Sequence, residues 1–97
     1  MLKLLPIGTV VRLKGAEIPF MISGYFPEDE EKPGEYYDYF AFPYPLGFSS
    51  TVEASSIYAD DIEDIIALGY QDKESMDYIS KLESFQFDND KEGGNDK

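Results

Sequence analysis

Residues 5–15 read Leu5-Pro6-Ile7-Gly8-Thr9-Val10-Val11-Arg12-Leu13-Lys14-Gly15, and this stretch decides the fold. Pro6 and Gly8 do not suit the interior of a strand, whereas the β-branched and aliphatic residues that follow them do. The pattern therefore predicts a strand from Thr9 to Leu13. Because side chains alternate between the two faces of a strand, we expect Val11 and Leu13 to share one face.

A second apolar run extends from Ile18 to Phe26, and the two runs together predict a β-hairpin. Gly24 lies inside this run, where a lone glycine indicates a bulge or a close approach of the backbone. Pro19 cannot donate a backbone hydrogen bond, so its end of the strand is expected at an edge of the sheet. Such an edge would allow two copies to pair.

Further strands are expected downstream of a charged loop. The loop runs from Glu28 to Glu35 and has no aliphatic residue. The aromatic run from Tyr36 to Tyr44 is strongly β-prone and predicts a third strand, which a turn at Pro45 and Gly47 ends. Residues 48–58 predict one further short strand.

Residues 60–70 allow two interpretations. Ile62, Ile65 and Ile66 fit a helical spacing, and Asp60 or Asp61 is suited to cap such a helix. The alternative is a short helical turn at residues 59–62 followed by a strand at residues 64–68. The sequence Ile-Ile-Ala-Leu-Gly-Tyr ends like a strand that closes a small sheet, which favours the second interpretation.

The clearest helical pattern extends from Lys73 to Phe85, which contains neither glycine nor proline. Asp72 is suited to cap its N-terminus. Residues 88–97 have no apolar side chain and predict a disordered acidic tail after a single globular domain at residues 1–87. Apolar residues recur along one face of the helix at steps of three, namely Met76, Ile79, Leu82 and Phe85.

Together these elements predict an α+β fold. It contains a small, strongly bent antiparallel β-sheet of four to five strands, with a barrel-like form as one option, and one C-terminal helix packed on the sheet. A chain of 97 residues with 42% hydrophobic residues suits one such domain with one core.

Composition excludes several classes of function. Cysteine and histidine are absent, which removes disulfides, thiolate metal sites and the commonest catalytic base. Asp88, Asp90 and Glu92 resemble the start of a calcium loop, but the glutamate of the twelfth position is missing. The net charge of −12 disfavours binding to phosphate backbones. We expect no enzymatic activity, no metal and no other cofactor.

The expected location is the cytoplasm. No apolar run approaches the roughly 18–20 residues that span a bilayer, so no direct membrane insertion is expected. The first predicted strand begins near residue 9, which leaves too few residues for a signal peptide ahead of it. The expected partner is therefore another protein rather than nucleic acid or a membrane.

The aromatic run and the acidic loop are the best candidates for contact with a partner. Alternation places Tyr39 and Ala41 on one face of the third strand and Phe40 and Phe42 on the other. One face must fill the core, so the other is either exposed to a partner or covered by the C-terminal helix. The candidate partner-binding residues are Tyr36, Tyr37, Tyr39, Phe40, Phe42, Tyr44, Glu28, Asp29, Glu30 and Glu31.

Five short motifs follow one another along the chain. They are Leu5-Pro6-Ile7-Gly8-x-Val10-Val11-x-Leu13-Lys14-Gly15, Met21-Ile22-x-Gly24, Tyr37-Asp38-Tyr39, Tyr44-Pro45-x-Gly47 and Gly69-Tyr70. In this order they resemble the family of unknown-function domains numbered 4176, over roughly residues 5–83. The chain departs from the family in the longer acidic insertion at Glu28–Glu35 and in its acidic tail, which bear on partner specificity rather than on the fold.

The resemblance implies a role beside toxins in Gram-positive bacteria. Members of the family are encoded near LXG toxins of the type VII secretion system. The implied function is that of a cytoplasmic chaperone or targeting factor, whose partners are the LXG region of a toxin and small WXG-like helical proteins. The alternative is an immunity protein that neutralises a cognate toxin domain with its acidic groups. The family supplies no catalytic residues.

Overall fold

The computed structural model describes residues 3–95 of the chain, with side chains as far as residue 84. It contains one antiparallel sheet of five strands and one C-terminal helix, as the sequence predicts. In chain order the elements are β1 (Val10–Leu13), β2 (Phe20–Tyr25), β3 (Tyr39–Pro43), β4 (Ser55–Ile57), a 3₁₀ turn (Ala59–Asp61), β5 (Ile62–Ala67) and α1 (Lys73–Asn95).

The sheet has the strand order β4-β3-β2-β1-β5 and is open, so the barrel-like form is not adopted. Its two edge strands are joined by only four residues, Tyr58 to Asp61. That link contains a 3₁₀ turn and reaches about 13 Å. The outer strands of a flat five-stranded sheet lie roughly 19 Å apart. The short link therefore requires the predicted strong bend.

The core lies on one face of the bent sheet. Val11 and Leu13 of β1 are buried there, which confirms the predicted alternation. Their neighbours in the core are Leu4, Ile22, Tyr39, Ala41, Ile57 and Ile79.

Helix α1 packs on this same face through Ile79 and Leu82. Met76, on the predicted apolar stripe, is 40% exposed, and Phe85 lies outside the described side chains. The helix begins at the predicted residue and continues to Asn95, into the segment 88–97 for which composition predicts a disordered tail. That tail and the domain limit at residue 87 stay predictions.

The start of α1 is capped by Asp72, as predicted. Its carboxylate accepts the backbone N–H of Ser75 at 2.8 Å, and the Ser75 hydroxyl accepts the N–H of Asp72 at 3.0 Å. These two reciprocal hydrogen bonds satisfy N–H groups that have no partner within a helix. The backbone hydrogen bond from Ser75 also lowers the pKa of Asp72 below its ordinary value.

The prediction that Pro19 marks a sheet edge is wrong, because β2 is the central strand. Pro19 precedes β2, and its carbonyl accepts the N–H of Tyr44 at 2.9 Å, so its missing N–H does not interrupt the ladder. The bulge expected near Gly24 is present as a register shift between Ile22 and Gly24. Residues 60–70 adopt the second interpretation, a short 3₁₀ turn followed by a strand.

Two motifs that are distant in sequence, residues 5–15 and Gly69-Tyr70, lie in contact with each other. Gly69 follows β5 and lies against the backbone of Ile7 and Gly8, so closely that an added Cβ would overlap the Ile7 carbonyl. The Gly69 N–H donates a hydrogen bond of 3.0 Å to the hydroxyl of Thr9, which is completely buried. This contact explains why the chain has glycine at residue 69.

The segment before β1 is held by side chains of the sheet and the helix. The N–H of Leu4 donates to the Glu83 carboxylate at 2.8 Å, and the N–H of Leu5 donates to the Tyr39 hydroxyl at 3.0 Å. The Tyr25 hydroxyl donates to the Leu5 carbonyl. Burial raises the pKa of Tyr25 to about 12.

Candidate functional site

Three phenylalanine rings form a cluster on the sheet face opposite the core. Phe40 and Phe42 of β3 meet edge to face with ring centroids 5.5 Å apart, and Phe48 meets Phe42 in the same way at 5.6 Å. Phe40 is 36% exposed and Phe48 is 80% exposed. We call these three residues the aromatic patch. Exposed aromatic rings in mutual contact are typical of protein-binding surfaces.

The sheet extends this apolar surface away from the patch. Phe42 lies opposite Met21 of β2, Met21 lies opposite Val10 of β1, and Val10 lies opposite Ala67 of β5. Cross-strand neighbours stand on the same face of a sheet. The patch is thus one end of a row of apolar side chains that crosses four strands.

Gly24 lies beside the patch. It is the cross-strand neighbour of Phe40, and a Cβ at this glycine would stand 3.5 Å from the Phe40 Cβ. This is an ordinary van der Waals separation, so the contact with Phe40 does not itself require glycine. Of the two features that a lone glycine indicates, the structure has the bulge, as the register shift between Ile22 and Gly24.

An acidic hollow of about 520 Å³ lies beside the patch. We use the name acidic hollow for this cavity and its lining. The Asp29 carboxylate raises the pKa of the Tyr37 phenol above its ordinary value. The Tyr37 ring in turn lies 4.7 Å from that of Tyr58. The lining residues are Glu28, Asp29, Glu30, Glu31, Lys32, Tyr37 and Ser56.

The acidic residues of the hollow have two different roles. Glu28 accepts the N–H of Gly34 at 3.0 Å, and Asp29 accepts the N–H of Glu31 at 3.0 Å, so these two carboxylates hold the loop in shape. Among the described residues, the carboxylates of Glu30 and Glu31 make no hydrogen bond or ion pair. A partner can therefore contact these two carboxylates without breaking the hydrogen bonds that hold the loop.

Ser56 connects the hollow with the patch. It lines the hollow, and it lies directly opposite Phe40 in the pairing of β3 with β4. Acidic and aromatic residues that are up to twenty positions apart in sequence therefore form one continuous surface. A partner that matches it presents apolar side chains next to lysine or arginine.

The structure distributes the predicted partner-binding residues over four places. Phe40 and Phe42 belong to the patch, and Tyr39 is 1% exposed in the core, where it cannot touch a partner. Tyr36 and Tyr44 are each 47% exposed at the two ends of β3. The remaining five residues, Glu28, Asp29, Glu30, Glu31 and Tyr37, line the acidic hollow.

Phe48, Ser56 and Tyr58 also belong to this surface, although they are not among the residues predicted from the sequence. Phe48 follows the turn after β3, and it reaches Phe42 because that turn reverses the chain, with the N–H of Gly47 bonded to the Pro43 carbonyl at 2.8 Å. The available signal was that Phe48 lies only four residues after the aromatic run, which ends at Tyr44. Ser56 and Tyr58 gave none, because their positions depend on the pairing of β4 with β3.

Within the part of the chain that the structure describes, no group of three or more acidic side chains has the arrangement of a metal site. Among those same residues, no helix is long and apolar enough to cross a membrane.

The fold and this surface define a class of small α+β domain, in which a bent five-stranded antiparallel sheet carries a core and a helix on one face and exposed aromatic residues on the other. The family model described as domain of unknown function DUF4176 matches residues 4–78, and the chain belongs to this family. Searches of curated proteins and of solved structures found no match.

Proposed function

We propose that this protein is a non-catalytic protein-binding module that acts as a cytoplasmic chaperone or targeting factor for the export of an LXG toxin by the type VII secretion system. Its partners in this proposal are the LXG region of the toxin and small WXG-like helical proteins. The resemblance to the family supports the toxin association, and the exposed surface of the chain supports the binding role.

The observation that supports binding is the continuity of the aromatic patch with the acidic hollow. Phe48 is 80% exposed, and an exposed phenylalanine is stabilised by a partner that removes it from water. The neighbouring carboxylates of Glu30 and Glu31 favour a partner with basic residues beside its apolar ones and speed the encounter with it. A helix with an apolar stripe flanked by lysine or arginine meets both requirements.

The first experiment separates the two candidate functions. The purified protein is tested by pull-down and calorimetry against the N-terminal LXG region and against the C-terminal toxic domain of the toxin encoded beside it. We expect binding to the LXG region. Binding only to the C-terminal domain would overturn the chaperone proposal and support the immunity alternative, in which the acidic surface covers a toxin's active site.

The second experiment locates the binding surface. Phe48→Ser removes an exposed ring without touching the core, and we expect it to weaken binding by roughly tenfold or more. Tyr78→Ser is the matched control, because Tyr78 is another exposed aromatic residue, 57% exposed on α1. Equal effects of the two variants would place the partner elsewhere.

The third experiment tests the acidic hollow. Glu30→Lys with Glu31→Lys reverses the two carboxylates that do not hold the loop, so the fold is retained. We expect weaker binding and a loss of its dependence on salt. Glu17→Lys with Glu74→Lys changes the net charge equally at other exposed sites. If this control has the same effect, total charge rather than the hollow attracts the partner.

A further inference from the structure

The outer edge of β5 is a second surface, separate from the aromatic patch. β5 (Ile62–Ala67) hydrogen-bonds to β1 on one side and ends the sheet on the other. Within residues 3–95, no strand pairs with its outer side. Backbone N–H and C=O groups along such an edge are a template for an added strand.

The two edges of this sheet are protected to different degrees. β4 has only three residues, Ser55–Ile57, and it is followed at once by the 3₁₀ turn. β5 is twice as long, and two features that protect natural edge strands, a charged side chain and proline, are absent from its residues 65–67. Its protective features are the register shifts in its pairing with β1 and the charges of Glu63 and Asp64 in its other half.

The apolar half of β5 is exposed. Ile65 and Ile66 are 44% and 46% exposed, and Leu68, directly after the strand, is 58% exposed, although large aliphatic side chains are stabilised by burial. They lie in sequence just before Gly69, which is held tightly against the start of the chain. The C-terminal end of the exposed edge is therefore held in place by Gly69. The edge can pair with a partner without a rearrangement of the sheet.

The other half of β5 is acidic. Glu63 and Asp64 are exposed, and neither forms an ion pair in the described part of the chain, although Arg12 lies opposite Asp64. Each copy of the chain carries a net charge of −12, so two copies repel one another. In an antiparallel pairing of two β5 strands these carboxylates would also face apolar residues. The charges favour a basic partner over a second copy.

We propose that the outer edge of β5 binds an extended basic segment of another protein as an added antiparallel strand. Backbone hydrogen bonds supply the affinity, apolar residues of the segment cover Ile65 to Leu68, and lysine or arginine lies opposite Glu63 and Asp64. This surface does not depend on the proposed function, since it shares no residue with the aromatic patch or the acidic hollow.

The test uses as the probe an octapeptide of four valines followed by four lysines, so that antiparallel pairing sets valine opposite residues 65–68 and lysine opposite Glu63 and Asp64. It is N-methylated at alternate residues, so that one of its edges can form hydrogen bonds and it cannot aggregate. On titration into the full-length protein, we expect NMR shifts in β5 and at least a roughly tenfold slowing of hydrogen exchange at β5 amides that face outward. The same peptide methylated at every residue has no N–H to donate and carries methyl groups along both edges, so it should not bind, nor should a version with glutamate in place of lysine.

Two sets of variants identify the residues. Ile66→Lys is expected to reduce binding by roughly tenfold or more, because an added charge on an edge strand blocks pairing. Glu63→Gln with Asp64→Asn should weaken binding by roughly twofold to thirtyfold and reduce its salt dependence. Leu46→Lys is the control, because Leu46 is an exposed aliphatic residue, 60% exposed in the turn after β3, and this variant should bind the peptide normally.

Each contrary result overturns the proposal. If the fully methylated peptide binds as well as the probe, the backbone of β5 is not the site. If the glutamate peptide binds equally, the carboxylates do not select the partner. If no peptide binds and analytical ultracentrifugation shows a dimer that Ile66→Lys dissociates, the edge pairs with a second copy. If no peptide binds and no dimer forms, the edge of β5 binds neither an added basic strand nor a second copy.

Discussion

Replacement of Gly69 by alanine tests the close contact between the residue that follows β5 and the segment that precedes β1. An added methyl group at residue 69 would overlap the carbonyl oxygen of Ile7. It would stand 2.8 Å from the Ile7 carbonyl carbon and 2.9 Å from that of Gly8. All three atoms belong to the backbone, so no flexible side chain can move aside. The segment before β1 must shift as a unit.

The expected cost has two parts. Forcing an extra methyl group into a packed site costs about 1–3 kcal/mol in strain. The shift also lengthens the hydrogen bond from the Gly69 N–H to the buried Thr9 hydroxyl, which adds roughly 1 kcal/mol. We therefore expect Gly69→Ala to lower the free energy of unfolding by about 2–4 kcal/mol. For a domain of this size that corresponds to a decrease in Tm of roughly 10–30 °C.

Far-UV circular dichroism during urea and thermal unfolding is the suitable assay, since the chain has no tryptophan. Gly24→Ala is the matched control, because its added methyl group would meet the Phe40 side chain at an ordinary 3.5 Å. We expect that control to be neutral, or slightly stabilising through the reduced freedom of the unfolded chain. Equal stability of the two alanine variants would refute the contact between Gly69 and Ile7.

Three further predictions concern the segments that hold the sheet and helix together. Tyr39→Phe leaves the N–H of Leu5 without its buried acceptor and should lower the free energy of unfolding by about 1–2 kcal/mol, as measured by urea unfolding. Burial raises the pKa of Tyr25 to about 12 from the ordinary 10.0, so the unfolded chain loses this proton first. Stability should thus be unaffected by this group below pH 10.0 and decrease as the pH rises towards 12, with a shallower decrease in Tyr25→Phe. Asp72→Ala should lower Tm and helical ellipticity, whereas Asp72→Asn keeps a capping oxygen. Because the N–H of Ser75 lowers the pKa of Asp72, the advantage of the ionised cap is present above pH 3.8 and is lost as the pH falls further.

Local patterns predicted the elements of the fold and several of their details. Alternation along β1 identified Val11 and Leu13 as residues on one face, and the structure buries both. The cap at Asp72 and the start of α1 at Lys73 follow from side chains within one helical turn. The expectation for Pro19 failed because it treated a proline before a strand as one inside it.

The candidate site was predicted only in part, because local patterns show neither which face of a strand the helix covers nor which strands pair. The aromatic run and the acidic loop are visible as composition, but alternation alone did not decide whether α1 covers Phe40 or Tyr39. The structure places α1 over Tyr39, which leaves Phe40 exposed. Phe48 and Ser56 entered the site through a turn and a strand pairing that no short window of sequence contains.

The sequence by itself determined which segments form strands, which segment forms the helix, and which face of β1 is apolar, because these properties arise between residues a few positions apart. Only the tertiary structure decided that β5 pairs with β1 rather than with its sequence neighbour β4, and that Gly69 meets Ile7. Those contacts join residues some sixty positions apart. They depend on how the whole sheet bends to close one core, which is a property of all five strands together.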